Sequence, residues 1–308
     1  MIIIGGGFAG AYIAKKLGGT LISPRDYFEY TPGILRVFGG KAPKLLRVPY
    51  TAYGVKHVKG TVTKVDDEYV YLGEKTYRYD QLVVCTGARY RQPVTGGKVY
   101  SLYSSKDVIK ARSGLNKCKS VAVVGGGLVG TEAAAELRYF YPDLDITVYD
   151  KKVCKQLCTK SQEYVVSWFK KHNIAVKAEY VTDTNVHDRY FVCAGVIPNT
   201  SFLPAHWLDK KGYVNVDDRL RVRPNVYACG DIISSRAYKT AQNAEAQAKV
   251  VVENVKGRIT RYTAKQGAIA TSLGPRDGTF EYGTFVVTGV LAATIKSLVE
   301  RLVLWSYR

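Results

Sequence analysis

The chain has 308 residues, 46% of them apolar and 23% charged, which is typical of a globular protein and leaves room for two domains. Lysine and arginine number 45 against 26 acidic residues, so the formal net charge is +19. Such an excess attracts nucleic acid, anionic lipid headgroups or an acidic redox protein, or it serves only solubility. Six cysteines without regular spacing exclude a disulfide framework and a zinc site, so we expect a reducing compartment and no metal.

The N-terminus combines an apolar run with a cluster of glycines. Three isoleucines follow the first Met, and Gly5, Gly7 and Gly10 then fit the pattern G-x-G-x-x-G. Between a buried strand and a helix, such glycines allow a tight turn and let a pyrophosphate approach the backbone. The acid that commonly binds the ribose is replaced here by Ser23, with Asp26 as the alternative. Because the sequence opens directly on this strand without a leader, we expect an intracellular, cytoplasmic protein.

The region between the glycine cluster and the middle of the chain has the features of strands. Apolar and polar residues alternate over 61–72, which predicts antiparallel strands. Further along, apolar runs stop at glycines, as strands do when they end at a ligand-binding turn. These strand ends are at Thr86 and Gly87, at Gly195, and at Gly230 and Asp231.

A second glycine cluster repeats the first about one domain later. Gly125, Gly127 and Gly130 follow an apolar run and precede an alanine-rich helix, and a further strand ends at Asp150. This sequence of elements predicts a second βαβ unit for a dinucleotide. A carboxylate at Asp150 favours NADH over NADPH, although two lysines follow it directly and leave NADPH open.

The C-terminal segment has apolar residues at helical spacing. They are Val287, Leu291, Ile295, Leu298, Leu302 and Trp305. Lys296, Glu300 and Arg301 occupy other positions, so the helix is too charged to span a membrane. The pattern suits an amphipathic helix that lies on a membrane surface or one that packs on the first domain.

Taken together, these motifs resemble the pyridine-nucleotide flavin oxidoreductases. Tyr27-Phe-Glu-Tyr-Thr-Pro-Gly-Ile-Leu-Arg36 is similar to the segment after the second strand in type II NADH dehydrogenases and in the ferroptosis-suppressor, apoptosis-inducing-factor-like branch. The helix-forming run 239–245 and the segment 272–278 are similar to the same branch. The resemblance implies an α/β fold with two Rossmann-like, three-layer domains, the NAD domain inserted in the FAD domain, and a short C-terminal segment. The implied boundaries are 1–95 and 212–260 for the FAD domain, 96–211 for the NAD(P)H domain, and 261–308 for the C-terminal segment.

The resemblance also assigns roles to residues. FAD and NADH, or NADPH, would be held by the glycine clusters and strand ends. This set comprises Gly5, Gly7, Gly10, Ser23, Arg36, Thr86, Gly87, Gly125, Gly127, Gly130, Asp150, Gly195, Gly230 and Asp231. The catalytic candidates are Glu132 at the nicotinamide–flavin contact, Lys239 near the flavin, and Gln242 on the helix that faces a quinone. Glu245 departs from the histidine that is frequent in that position.

The expected activity is transfer of a hydride from NADH to FAD and of electrons onward to a quinone or another small acceptor, at or near a peripheral membrane surface. Two alternatives remain, a reductase of an acidic iron–sulfur protein and a nucleic-acid-binding flavoprotein like apoptosis-inducing factor. Disulfide reductase activity is not expected, because no cysteine occurs in 28–47 and none pairs near the second cluster. The nicotinamide domain is short between Thr182 and Arg189. The sequence does not indicate an oligomeric state.

Overall fold

The computed structural model describes residues 1–235 and 237–308. Its first sheet is built around the N-terminal isoleucines, which are all buried, as in a strand covered on both faces. The elements are β1 (Ile2–Ile4), α1 (Phe8–Leu17), β2 (Thr20–Ser23), β3 (Tyr27–Glu29), β4 (Arg47–Pro49), β5 (Lys56–Lys59), β6 (Lys64–Val65), β7 (Tyr69–Leu72), β8 (Lys75–Arg78) and β9 (Leu82–Val84). β1 pairs in parallel with β2 and β9, and β6, β7 and β8 form an antiparallel sheet. The antiparallel strands agree with the alternation in that region.

The second unit is a parallel sheet that carries the second glycine cluster. Its elements are β10 (Ala88–Tyr90), β11 (Val99–Ser101), α2 (Ser105–Arg112), β12 (Ser120–Val124), α3 (Leu128–Phe140), β13 (Asp145–Tyr149), α4 (Thr159–Lys171), β14 (Ile174–Lys177), β15 (Arg189–Val192) and β16 (Val196–Pro198). Five of the strands lie in the order β11-β15-β12-β13-β14, all parallel. Residues 178–188, all of them described, connect β14 to β15 without a strand. This connection is short, as the sequence indicated.

The chain then returns to the first sheet. The returning elements are β17 (Arg221–Arg223), β18 (Val226–Ala228) and α5 (Ala241–Val255). β18 pairs in parallel with β9, giving the order β17-β18-β9-β1-β2-β5, and α5 packs against α1. Strands that come before and after the second unit in the chain complete one sheet, so the second unit is inserted in the first. This confirms the predicted fold class. An antiparallel pair, β10 with β16, lies where the chain passes between the units.

A third part packs against both units. It consists of β19 (Ile269–Ser272), β20 (Gly278–Tyr282), β21 (Phe285–Thr288) and α6 (Val290–Ser306). The three strands are antiparallel, and they contact α3, α4 and α6. None of the helices in the described ranges is long and apolar enough to cross a membrane. The domain boundaries at 95, 211 and 260 stay a proposal.

Helix α6 has its charged side inward and much of its apolar side outward. Lys296 and Glu300 are each 6% exposed, whereas Leu302 is 63% and Trp305 is 75% exposed. At its C-terminus the Tyr307 hydroxyl donates to the Phe8 carbonyl, at 2.9 Å, in the first unit. The helix therefore packs on the protein, as one alternative held, and its buried residues are Ala292, Ala293, Lys296, Glu300 and Leu304.

Five short 3-10 helices complete the described elements. They are Thr31–Gly39, Pro43–Leu46, Tyr50–Tyr53, Leu115–Lys117 and Ala205–Trp207. The first of them contacts α2 and α3, so it lies between the two units.

Candidate functional site

The first glycine turn is shaped to receive an anion. Gly5 has φ +98°, and a Cβ on Gly10 would lie 1.8 Å from the Gly5 carbonyl oxygen, so both positions require glycine. Around Gly7, by contrast, there is open space where a side chain would point. Gly7 is also the N-cap of α1 and provides no side-chain cap, so the first N–H groups of the helix stay available. This arrangement suits the diphosphate of a dinucleotide.

The second glycine turn has the same construction. Gly125 has φ +102°, a Cβ on Gly130 would lie 1.8 Å from the Gly125 oxygen, and Gly127 begins α3 without a side-chain cap. The Asp150 carboxylate accepts a hydrogen bond from the Gly126 amide at 2.7 Å. It therefore lies against the turn, where a ribose would follow the diphosphate. The two turns fit two dinucleotides.

The remaining predicted strand ends meet at the same edges as these turns. Thr86 and Gly230 follow β9 and β18, which lie beside β1, so they share the carboxyl edge of the first sheet with Gly5. Gly195 follows β15, which lies beside β12, and joins the edge of the second sheet. Gly87 and Gly195 have φ of +66° and +59°. The predicted strand-end positions thus come together in two groups, one for each sheet.

Asn199 connects the two groups. Its side-chain amide donates to the Thr86 carbonyl at 3.0 Å, and the Thr86 hydroxyl donates to the Asn199 carbonyl at 2.7 Å. The backbone N–H of Asn199 also donates to the Gly87 carbonyl, at 3.0 Å. Asn199 belongs to no motif in the sequence. Its contacts hold the turn of the first sheet against the chain returning from the second.

Ser23 is buried at the end of β2 beside Tyr50. The Ser23 hydroxyl accepts from the Arg25 amide at 3.3 Å, and the Tyr50 hydroxyl donates to the Gly6 carbonyl at 2.7 Å. Burial raises the pKa of Tyr50 to about 12, so its hydroxyl stays a donor. A Cβ on Gly6 would lie 1.8 Å from that hydroxyl. Tyr50 therefore supports the first turn, a role that no sequence pattern indicates.

Asp231 and Lys239 form a partly buried pair of opposite charges. Burial raises the pKa of Asp231 and lowers that of Lys239, and each charge partly offsets the shift of the other. The Lys239 ammonium donates to the Ile233 carbonyl at 2.6 Å and lies 4.8 Å from the centre of the Tyr213 ring. It lines a cavity of about 400 Å³ together with Tyr213 and Ile233. A cation is thus held close to the predicted flavin-binding edge.

The turn that carries Asp231 is fixed by α5. The Gly230 amide donates to the Gln247 side-chain oxygen at 2.7 Å, and Gln247 is buried. Gln242, one of the catalytic candidates, is exposed in the first turn of α5, and Glu245 pairs with Lys249 at 3.1 Å. Gln247 is the residue of this helix that contacts the site, although only the other two were expected from the sequence.

A buried cluster of charges lies between α3, α6 and the 3-10 helix Thr31–Gly39. We call Arg36, Glu132, Glu136, Lys296 and Glu300 the charged cluster. Glu132 forms an ion pair with Lys296, and its carboxylate accepts from the Ser272 amide at 2.9 Å. Arg36 pairs with Glu300 at 3.2 Å.

The charged cluster contains two of the predicted site residues, Arg36 and Glu132. Arg36 was expected to bind a cofactor, and the contacts that the structure gives it are with α6, so a cofactor-binding role stays a prediction. Glu132 lies in the first helical turns after the second glycine turn, as its role requires. Two sequence signals would reveal the cluster. One is a pair of acids at i, i+4 in an alanine-rich buried helix, and the other is a lysine and an acid at i, i+4 in α6.

Four of the six cysteines are buried thiols, and Cys118 and Cys158 are half-buried. The sulfur atoms of Cys85 and Cys229 lie 3.5 Å apart at the ends of neighbouring strands, and burial raises the pKa of Cys85. Burial also raises the pKa of Cys154 to about 12. Cys154 and Cys158 both precede α4, and Cys158 is its N-cap. Thiols with raised pKa are poor nucleophiles, which agrees with a structural role.

Comparison with known proteins agrees with this geometry. The oxidoreductase ptaL of Pestalotiopsis fici is 27% identical over 96% of this chain and 95% of its own. Ferroptosis suppressor protein 1 of Taeniopygia guttata is 26% identical over 96% and 92%. The structure of NDH2 from Plasmodium falciparum in complex with NADH has a TM-score of 0.86 at 17% identity, covering 100% of this chain and 95% of that one. The predicted branch is thereby confirmed.

The family model of the pyridine nucleotide-disulphide oxidoreductases matches residues 1–248, which include both glycine turns and most of α5. The chain therefore belongs to the pyridine nucleotide-disulphide oxidoreductase family, an oxidoreductase that binds FAD and a nicotinamide dinucleotide.

Proposed function

We propose that the protein is an FAD-dependent NAD(P)H:quinone oxidoreductase. The observation that carries this proposal is the pair of uncapped glycine turns at the carboxyl edges of two sheets, one for each dinucleotide. Asp150 lies against the second turn and favours NADH, because its carboxylate accepts a ribose hydroxyl and repels a 2′-phosphate. The two cofactors, when bound, supply the hydride transfer chemistry.

The residues of the chain position these cofactors and set the local charge. The turns at Gly5–Gly10 and Gly125–Gly130 bind the two diphosphates through backbone N–H groups. Asp231, on the turn that Gln247 holds, lies where the ribityl chain of FAD is bound in this family. Lys239 supplies a positive charge near that edge, which favours a flavin that has gained negative charge.

The acceptor side of the proposal depends on α6. Leu291, Leu298, Leu302 and Trp305 form an exposed apolar stripe, with each side chain at least half exposed. We propose that this stripe lies in the interface of a membrane, where a lipid-soluble quinone is found. A groove of about 290 Å³ beside the stripe is lined by Arg276 and Arg301, whose charges suit anionic headgroups.

The test is an anaerobic titration of the purified protein. Its visible spectrum should show a bound flavin, NADH should bleach that band, and a short-chain quinone should restore it. A preparation that takes up no flavin when it is refolded with FAD would refute the proposal. A preparation that NADH bleaches but no quinone reoxidises would refute the acceptor alone.

A reductase of an acidic iron–sulfur protein is the second candidate. The net charge of +19 favours it, and the covalent putidaredoxin reductase–putidaredoxin complex has the same fold, with a TM-score of 0.77 at 20% identity over 91% of this chain and 80% of that one. Turnover with a ferredoxin that exceeds turnover with quinones, and that falls steeply with salt, would favour this candidate.

A further inference from the structure

Helix α3 places two buried carboxyl groups one turn apart, and they have different surroundings. Glu132 is paired with Lys296 and accepts from the Ser272 amide. Glu136 is 1% exposed, and no cation lies within ion-pair distance of it in the described part of the chain. One of its oxygens accepts from the Ser272 hydroxyl at 3.4 Å, and among the described residues the other oxygen has no hydrogen-bond partner.

Every element packed against Glu136 contributes a charge or a polar group. Arg36 faces it from the 3-10 helix, Lys296 from α6, and Glu132 from its own helix, while Ser272 approaches from β19. Burial raises the pKa of Glu136 to about 7, and Arg36, Lys296 and Ser272 oppose that rise. Burial thus brings the pKa of Glu136 close to neutral pH.

Ser272 connects the two carboxyl groups. Its amide donates to Glu132 and its hydroxyl to Glu136, so a change of charge on Glu136 acts on a residue that also holds Glu132. The single hydroxyl proton of Ser272 is shared between the Glu136 carboxylate, at 3.4 Å, and the Gly274 carbonyl, at 3.0 Å. If Glu132 contacts the nicotinamide, as proposed, Glu136 lies one helical turn behind that contact.

We propose that Glu136 is a positioning residue for NADH oxidation, acting through its negative charge behind Glu132. The proposal rests on the function proposed above. When bound, the dihydronicotinamide would give its hydride, a proton with two electrons, to FAD and would thereby become a cation. A negative charge on Glu136 stabilises that cation, and a neutral Glu136 does not. The hydride transfer is therefore faster at high pH.

The main experiment is stopped-flow reduction of the flavin-loaded protein by NADH, without oxygen and without quinone, from about pH 5.5 to about pH 8.5. The rate constant should rise with a midpoint near 7. The expected rise is on the order of tenfold, which corresponds to about 1.4 kcal/mol of stabilisation of the cation. Glu136→Gln should remain at the slow, low-pH limit throughout.

Two further variants separate this role from a structural one. Ser272→Ala removes a donor to the Glu136 carboxylate, so the midpoint should move to higher pH. Glu163→Gln removes an exposed carboxylate of α4 and is the matched control, with an unchanged profile. A structural role for Glu136 would not move a midpoint in Ser272→Ala.

A measurement without cofactors provides the second readout. In flavin-free protein with 13C-labelled glutamate carboxyl groups, one resonance should titrate near pH 7 and be absent from Glu136→Gln. If Glu136→Gln keeps the wild-type midpoint, or if no glutamate titrates in that range, the proposal is overturned. A wild type that NADH never bleaches would instead overturn the function on which it rests.

Discussion

Removing the charge of Lys296 tests whether the charged cluster holds α6 in place. The side chains of Lys296 and Glu132 are 8% and 11% exposed, so their ion pair is shielded from water. Lys296→Met keeps most of the volume of the side chain and leaves the Glu132 carboxylate buried without its cation. Loss of one partner from a buried pair costs about 3–5 kcal/mol. Because the Ser272 amide still donates to Glu132 at 2.9 Å, we expect the lower end, about 3 kcal/mol.

A double-mutant cycle isolates the pair from the rest of the helix. Glu132→Gln combined with Lys296→Met leaves neither charge of this pair. The double variant should therefore lose about 1–3 kcal/mol less unfolding free energy than the sum of the two single losses. The assay is urea unfolding of the four flavin-free proteins, followed by circular dichroism. Strictly additive losses, or a loss below about 1 kcal/mol for Lys296→Met, would refute the view that this pair is buried and coupled.

Three other predictions concern the pH dependence, the nucleotide and the membrane. Burial raises the pKa of Glu136 in the folded protein to about 7, from an ordinary value of 4.5. The folded state therefore binds the proton more tightly than the unfolded state, and the stability that the acid form contributes falls as the pH rises between these two values. The free energy of unfolding of Glu136→Gln, measured with urea, should therefore exceed that of the wild type by up to about 3 kcal/mol above pH 7 and equal it below pH 4.5. A difference that does not depend on pH would contradict this prediction. Asp150→Ser should lower the KM for NADPH relative to NADH by about tenfold in steady-state assays, and an unchanged ratio would mean that Asp150 does not face the ribose. Trp305→Glu should reduce binding to anionic vesicles, measured by flotation, by about tenfold without changing the stability of the fold. The control is Ile259→Glu, at a position that is 72% exposed and lies outside the stripe, and it should leave flotation unchanged.

The glycine turns were accessible to sequence reasoning because their requirements are local. Gly5 and Gly125 need positive φ, and Gly10 and Gly130 approach a carbonyl oxygen only five residues earlier. A strand on one side and a helix on the other complete the pattern within one short segment. The fold class followed from two such units and the returning strand that ends at Gly230.

The charged cluster was not accessible in the same way, because its members are distant in sequence. Ser272 is 136 residues from Glu136, and Lys296 is 164 residues from Glu132. No local pattern states that a helix at one end of the chain will supply the cation for an acid in the middle. The same holds for Gln247 and Tyr50, which act on backbone groups of turns that they do not belong to.

Helix α6 shows a different limit of sequence patterns. Periodicity identifies the residues that share a face, but it does not tell which face the rest of the protein covers. Leu291, Leu298, Leu302 and Trp305 do share one side of the helix, and the structure turns that side to the surface. Val287 was also expected in this helix, but it lies in β21. A leucine or tryptophan left exposed forgoes about 1.5–3 kcal/mol of burial. Four such residues in one stripe are therefore costly for a protein that works only in water.

The two buried ion pairs explain how that orientation is maintained. A helix with Leu291, Leu298, Leu302 and Trp305 on one side would otherwise turn this side toward the protein, because burial of apolar surface is the dominant force. Turning it would take Lys296 away from Glu132 and Glu300 away from Arg36 and Lys41, and would leave the buried Glu132 carboxylate without its cation at about 3–5 kcal/mol. Buried charges thus determine which face of α6 points outward. The same lysine that fixes the exposed stripe also pairs with Glu132, which we propose to lie beside the nicotinamide, so the proposed membrane surface and the proposed hydride site depend on one side chain.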